Sequence, residues 1–500
     1  MITVHLRVND AATGKPTPVR LRVTGPNGTY FAPFGRQTEF AVGRNEDVGG
    51  NLCLGRDRFA YINGSCEIRL PTGVPVRVQA LKGPEYTPLD ETVVLGAGQM
   101  ALRFTLTRVS DARATGWHPG DTRAHFLPPH AAALEAAAED VTFVNLLATV
   151  QTVSWLDGHA FPSVANITAF SGQEAALQSG GSTVVVNTLN THPVLGQVGL
   201  LNCHRTVYPL TFGGPEDTDD WSVTDWCYQC HRKKGLAVWV NPFATECSEA
   251  LVALILGTID AIEYDAQPRK KPLLPWYYHL LNAGFVTPLV GGSGKDSNRI
   301  PIGAARTYAK LPAADQPVYG AWIEAVRKGH CFATNGPLLT FEVNGHGPGE
   351  PVDLASPGSV VSVKATATSG TAFEKLDLIV GGQVAASTEA IRSGSVWSAT
   401  LTCEQTFEES GWLAARCSGG AGTSLFPGLP AFAHTPPVTV RVANQPIPKR
   451  PEAVSALTRM VGRTREWAEQ HGRCADEKWK RQLVDRCGEA VSRLAAGNEP

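Results

Sequence analysis

The sequence predicts a multidomain chain: a central α/β part flanked by two all-β parts, with a helical tail. Three observations predict it. At 500 residues the chain is long enough for about three domains. Period-two apolar alternation recurs in both flanks. In the middle, strand-like runs alternate with helix-like ones, the pattern of parallel β/α units. Composition agrees. Hydrophobic residues make up 43% and charged residues 18%, which excludes wholesale disorder, and 50 Gly with 35 Pro favour turn-rich β modules.

Residues 1–112 read as a β-sandwich. Leu6 and Val8, then Val19, Leu21 and Val23, alternate with polar neighbours, and Gly25-Pro26-Asn27-Gly28 supplies turn chemistry. Residues 66–70, 74–78 and 102–106 repeat the pattern, and Pro75 is expected to mark a sheet edge. Residues 113–340 alternate. A helix is predicted over 131–138 and a strand over 141–147. Further strands are predicted at 183–186 and 198–201. A buried strand over 235–240 lies between helices at 225–234 and 248–256, and another strand follows at 259–264. In such folds chemistry gathers at the C-terminal ends of strands. Residues 341–446 return to strands, clearest at 376–380, 412–416 and 438–442, and read as a second sandwich. In 447–500, Val454, Leu457 and Val461, then Leu483, Cys487, Val491 and Leu494, keep helical spacing. Gly472 divides them into a helical hairpin.

Charge narrows the partners. Net charge is -2 and no long basic run occurs, so nucleic acid and anionic membrane have no electrostatic footprint. No apolar run is long enough for a spanning helix. The opening Met1-Ile2-Thr3-Val4-His5 alternates like a strand and lacks a basic, then apolar, leader pattern, so a cytoplasmic location is expected. Eleven scattered cysteines are an odd number and read as reduced core residues rather than a disulfide framework.

The most informative segment runs from Gly116-Trp117-His118-Pro119-Gly120-Asp121 to Thr122-Arg123-Ala124-His125-Phe126. As a strand it would project Asp121, Arg123 and His125 from one face. Here the chain resembles the carbaryl-hydrolase-like branch of the PHP superfamily of metal-dependent hydrolases, whose corresponding Gly-Asp-x-His-x-His segment supplies two metal-binding histidines. The resemblance continues in order over about 115–490. Ser171-Gly172-Gln173-Glu174 is similar to the family's acidic ligand segment. The segment at Gln197, the strand ending in Asn241, Asp260-Ala261-Ile262-Glu263, Gly291-Gly292-Ser293-Gly294 and Ala433-His434-Thr435-Pro436 resemble later ones. The resemblance implies a distorted PHP-type β/α barrel between the two sandwiches, and a dinuclear metal site.

Departures fall on the ligands themselves. Arg123 stands for the first His, Gln197 for the third-segment His, Asn241 for the strand-end His, and Gly294 for the late Asp. His125, Glu174 and Glu263 remain as metal candidates, with Asp121 behind them. Zinc typically takes four good donors, and amide carbonyls are weak ones. A guanidinium offers no lone pair and stays charged. At about 4 Å and an effective dielectric near 20, one Arg opposes a divalent ion by roughly 8 kcal/mol.

No cofactor is therefore expected; if one is held, it is zinc, iron or manganese on His125, Glu174 and Glu263. The expected function is that of a catalytically impaired relative acting as a binding or scaffold protein. Arg123 would pair with Glu174, Glu263 or Asp121, and the pocket would take a small anionic or carbonyl ligand. The alternative is an active hydrolase of esters, carbamates or phosphoesters using a reduced metal site.

Other signals are weaker. Cys227-Tyr228-Gln229-Cys230-His231 fits a haem-attachment pattern but falls on a predicted amphipathic helix. Gly291–Lys295 lacks the Gly and Ser/Thr of a phosphate loop, and no Gly-x-Ser-x-Gly elbow occurs. His192 and His204 flank Gln197 and read as structural. The sequon at Asn166-Ile167-Thr168 reads as a turn.

Overall fold

The computed structural model describes the chain except residues 38–48, 157–158, 165–168, 215–216, 266–271, 314–315, 421–425, 427 and 497–500, so the 166–168 sequon lies outside the described residues. The architecture is mixed α/β, with many strands, few helices and several sheets.

Alternation builds the N-terminal region. Val4, Leu6 and Val8 of the Ile2–Asp10 strand, and Val76, Val78 and Ala80 of the Pro75–Leu81 strand, point into one apolar core. One contributing sheet sets Ile2–Asp10 between Ser65–Leu70 and Ala101–Leu106. The other runs Asn51–Leu54, Asp57–Ile62, Val19–Thr24, Pro75–Leu81, Leu89–Val94. Pro75 does not mark a sheet edge, because its strand is paired on both sides. It occupies the strand's first position, and the pairing with Val19–Thr24 begins only at Arg77, so its missing N–H removes no bond there.

The central strands are apolar on both faces because both are covered. Phe143–Ala148 and Leu236–Val240 are buried throughout. Val144, Leu146, Val184 and Val186 pack with alanines of the Pro129–Ala138 helix. Phe143, Leu147, Val185 and Val238 pack with Tyr319 and Trp322 of the Tyr319–Arg327 helix. The order is Leu289–Gly292, Ala261–Asp265, Leu236–Val240, Gly196–Leu201, Ser182–His192, Phe143–Ala148, Trp117–Ala124. This sheet curls into half a barrel, and Lys295, just past its end strand, bridges to Ala124. Strict β/α alternation breaks at Gly196–Leu201, which runs antiparallel to both its neighbours. The other strands of this run are parallel, so their C-terminal ends share one rim.

Helices Val223–Arg232, Glu249–Ile255 and Leu273–Asn282 cover the outer face. The tail helices Pro451–Gln470 and Glu477–Ala495 pack over them, placing Leu457 and Leu483 in the same core as Trp226 and Leu251. Among the described residues no helix is long and apolar enough to cross a membrane.

Interactions cross both expected boundaries. Near 112, Asp140 pairs with Arg113 at 2.8 Å and with Arg108 at 3.1 Å, while Glu85 accepts from the Tyr308 hydroxyl at 2.9 Å. Burial would raise the Asp140 carboxyl, but Arg113, Lys82 and Arg108 hold it well below its ordinary value. Near 340, hydrogen bonding runs on through Arg306–Lys310, Cys331–Thr334, Ala431–His434, Gly411–Gly419, Lys375–Val380 and Gln383–Glu389. The 341–446 region thus shares the central sheet. It adds a separate one (Leu338–Val343, Ser359–Ser369, Val396–Phe407, Ile391–Ser393) across a core containing Phe341, Val363 and Leu378.

Candidate functional site

A β-bulge sets the geometry at the rim. Pairing matches Asp121 with Val144 and Ala124 with Leu146, so Thr122 and Arg123 stand together against Asn145. The extra residue overturns the expected alternation of Asp121, Arg123 and His125 on one face. Thr122 and Arg123 instead both reach Glu263. The Thr122 hydroxyl donates to Oε2 at 2.9 Å, and Arg123 Nε donates to Oε1 at 2.8 Å. Arg123 Nη2 donates to Asp265 Oδ2 at 3.3 Å. Asp265 follows Glu263 by two residues on the Ala261–Asp265 strand, so the pleat puts both on one side.

All three charged groups are buried. Burial opposes the Arg123 charge, but Glu263 and Asp265 outweigh it and hold the guanidinium above its ordinary pKa. Burial raises the Glu263 carboxyl even with Arg123 beside it. Two carboxylates facing one guanidinium leave no surplus positive charge for an anion.

Gly294 completes the arrangement. Its φ is +64°, and a Cβ there would lie 2.8 Å from Arg123 Nη2 and 3.1 Å from Cζ. The guanidinium fills the room that a side chain at 294 would need. Asp121 is tied to backbone rather than to Arg123's guanidinium. Its Oδ1 accepts the Arg123 and Ser293 N–H groups at 3.0 and 2.9 Å, and its Oδ2 accepts that of Gly303 at 2.8 Å. Burial nonetheless raises its carboxyl above the ordinary range. His125 is buried, and its Nδ1 lies 2.9 Å from the Leu147 carbonyl, which can only accept, so Nδ1 carries the proton.

Gln197 and Asn241 meet further along the rim, where Asn241 Nδ2 donates to Gln197 Oε1 at 2.8 Å. They border a cavity of about 140 Å³ with Trp239, Phe243, His192 and Ser248. A larger cleft of about 560 Å³ lies between the Leu273–Asn282 helix and the 380–383 turn, but its arginines are already paired, Arg416 with Asp377 and Arg450 with Glu409. Glu174 is exposed and does not pair with Arg123, whose carboxylate partners are Glu263 and Asp265.

A divalent ion does not fit this set. Among the described residues no three His, Cys, Asp or Glu converge in metal-holding geometry; His125 and Glu263 are buried and Glu174 is exposed. Where the resemblance places further ligands there are two amides, a glycine and a bound guanidinium. An ion beside Glu263 would first have to displace Arg123.

The other signals resolve as structural. Cys227 and Cys230 are buried, Cys230 Sγ lies 3.4 Å from Cys203 Sγ, and burial pushes both helix thiols well above their ordinary values. His231 binds Asp260 at 2.9 Å. His192 is spoken for at both nitrogens: Nδ1 accepts the Val194 and Leu195 N–H groups, which leaves Nε2 to donate to Asp219 at 2.9 Å. Lys295 does not face an open loop. Its ammonium pairs with buried Glu135 at 3.3 Å and donates to the Ile300 carbonyl at 2.8 Å. Sequence reasoning missed Asp265, Thr122 and Glu135. Only Asp265 carried a signal, its two-residue spacing from Glu263.

No protein-family model, curated protein or solved structure matches the chain.

Proposed function

We propose that this chain is a metal-free, catalytically silent relative of the carbaryl-hydrolase-like PHP proteins, acting as a binding or scaffold protein. In this reading the curled sheet is a distorted PHP-type barrel and the flanking sheets are two sandwiches. One observation carries the reading: Arg123 stands where the resemblance puts a metal-binding histidine and is held by Glu263 at 2.8 Å and Asp265 at 3.3 Å. A fixed internal cation there neutralises the carboxylates that a metal would otherwise neutralise. Water activation by a bound ion has no donor set to support it.

Elemental analysis tests this. Protein made in medium supplemented with zinc, iron and manganese, and purified without chelators, is expected to carry far less than one metal per chain. The Arg123→His/Gln197→His variant is expected to carry more than its parent. Stoichiometric metal in the parent overturns the reading.

A further inference from the structure

We propose that the rim cavity at Gln197 and Asn241 binds a small, neutral, planar cyclic amide, using the amide pair to read its N–H and C=O edge. The proposal rests on the reading of the chain as a metal-free binding protein. Gln197 faces Val240 in the strand register and Asn241 is the next residue, so the sheet itself brings the two carboxamides together. Their mutual bond at 2.8 Å uses the Gln197 oxygen and one Asn241 hydrogen. The Gln197 nitrogen and the Asn241 oxygen have no other partner among the described residues. Exchanging the oxygen and nitrogen assignments of both amides still leaves one donor and one acceptor. A ligand that accepts from one and donates to the other satisfies both.

The walls select shape. Trp239 and Phe243 border the cavity with ring centroids 4.7 Å apart, and Phe243 stacks on Trp276 at 5.5 Å. Flat apolar walls with a few convergent polar groups are the common make-up of small-ligand sites. The backbone bends to form them: Asn241 has φ 48° and Phe243 has φ 61°. A bulky aromatic residue rarely adopts that conformation, and such outliers gather at ligand clamps. The volume, about 140 Å³, suits a single ring.

Charge selects neutrality. Among the described residues that line the cavity, His192 is the one ionisable side chain, and both its nitrogens are already engaged, Nδ1 accepting and Nε2 donating. Among these residues neither an anion nor a cation finds a counter-charge. Arg123 is held elsewhere by its own carboxylates.

The probes are 2-pyridone, N-methyl-2-pyridone and benzoate, titrated into the full chain and followed by ligand-observed NMR. 2-Pyridone offers both halves of the edge, the N-methyl form lacks the donor, and benzoate is charged. 2-Pyridone is expected to bind about tenfold more tightly than either of the others, the scale of one net hydrogen bond. Gln197→Leu removes the donor to the ligand's C=O and is expected to weaken 2-pyridone and its N-methyl form alike, each about tenfold, while the advantage of 2-pyridone, which rests on the Asn241 oxygen, persists. Gln197→Glu, which keeps the shape but replaces the donor by an acceptor, guards against a packing effect and is expected to act alike. Absence of 2-pyridone binding overturns the proposal. So does equal binding of 2-pyridone and its N-methyl form, or unchanged binding in both variants. Metal content measured on the same samples separates this from the function. A metal-bearing parent with selective 2-pyridone binding overturns only the metal-free reading, and a metal-free parent without binding overturns only the cavity proposal.

Discussion

Replacing Arg123 by methionine is expected to lower the unfolding free energy by about 3 to 5 kcal/mol at neutral pH. Methionine fills the space of the arginine stem but leaves Glu263 and Asp265 buried without their cation. Removing one partner of a buried pair costs far more than the pair contributes, because the orphaned charge stays out of water. The loss has a definite pH dependence. The Glu263 carboxyl is already raised by burial above its ordinary value of 4.5, and without Arg123 it rises further. A group raised in the folded state contributes its stability fully below its unfolded pKa and loses it as pH rises through the folded one. The variant should therefore come closest to the parent near pH 4.5 and fall behind toward pH 7. Denaturant unfolding at the two pH values measures this. The triple variant Arg123→Met/Glu263→Gln/Asp265→Asn, with none of these three charges left, should recover most of the loss. A single variant as stable as the parent at pH 7 would show that the guanidinium is not a buried counter-ion.

Gly294→Ala is expected to cost about 2 to 4 kcal/mol through two separable causes. The backbone at φ +64° suits glycine, and an L side chain there costs about 1 to 2 kcal/mol. The new methyl also falls within 3 Å of the guanidinium and pushes Arg123 off its two carboxylates. In an Arg123→Met background only the first cause remains, so the two substitutions should couple by at least about 1 kcal/mol. A double-mutant cycle followed by chemical denaturation measures the coupling. Equal losses in both backgrounds would mean that Arg123 and Gly294 do not share space. The arginine and the absent side chain thus behave as one unit, and a single substitution at either position leaves a misfit rather than a metal site.

Much of the fold was legible because burial leaves a period. The Val4-Leu6-Val8 alternation, the helical run 131–138 and the spacing of Leu457 with Val461 all mark faces that pack inward. Ser248 opens its helix as a polar cap should, accepting from the Leu251 N–H. Pro75 misled because a strand's first position and a sheet edge both tolerate a missing donor, and composition does not separate them. The site was legible in its members but not in its connections. Arg123, Glu263, Gln197, Asn241 and Gly294 all stand at the rim, but the bulge that turns Thr122 and Arg123 together onto Glu263 is invisible to a two-residue period. Glu174 carried suitable chemistry but lies exposed and is not among the carboxylates that pair with Arg123. Glu135 lay inside an alanine-rich helix, where nothing local announces an ion pair with Lys295, 160 residues away.

The unbroken hydrogen bonding from Cys331–Thr334 into Ala431–His434 limits how the chain can be divided. A fragment ending at 340 would expose one flank of Cys331–Thr334 as bare N–H and C=O groups, and one starting at 341 would strip Ala431–His434 of the same ladder. Bare strand flanks recruit other chains, so either half is prone to self-association. The curled sheet and the strands beyond 340 are two ends of one woven panel, joined by strand pairing rather than by a tether.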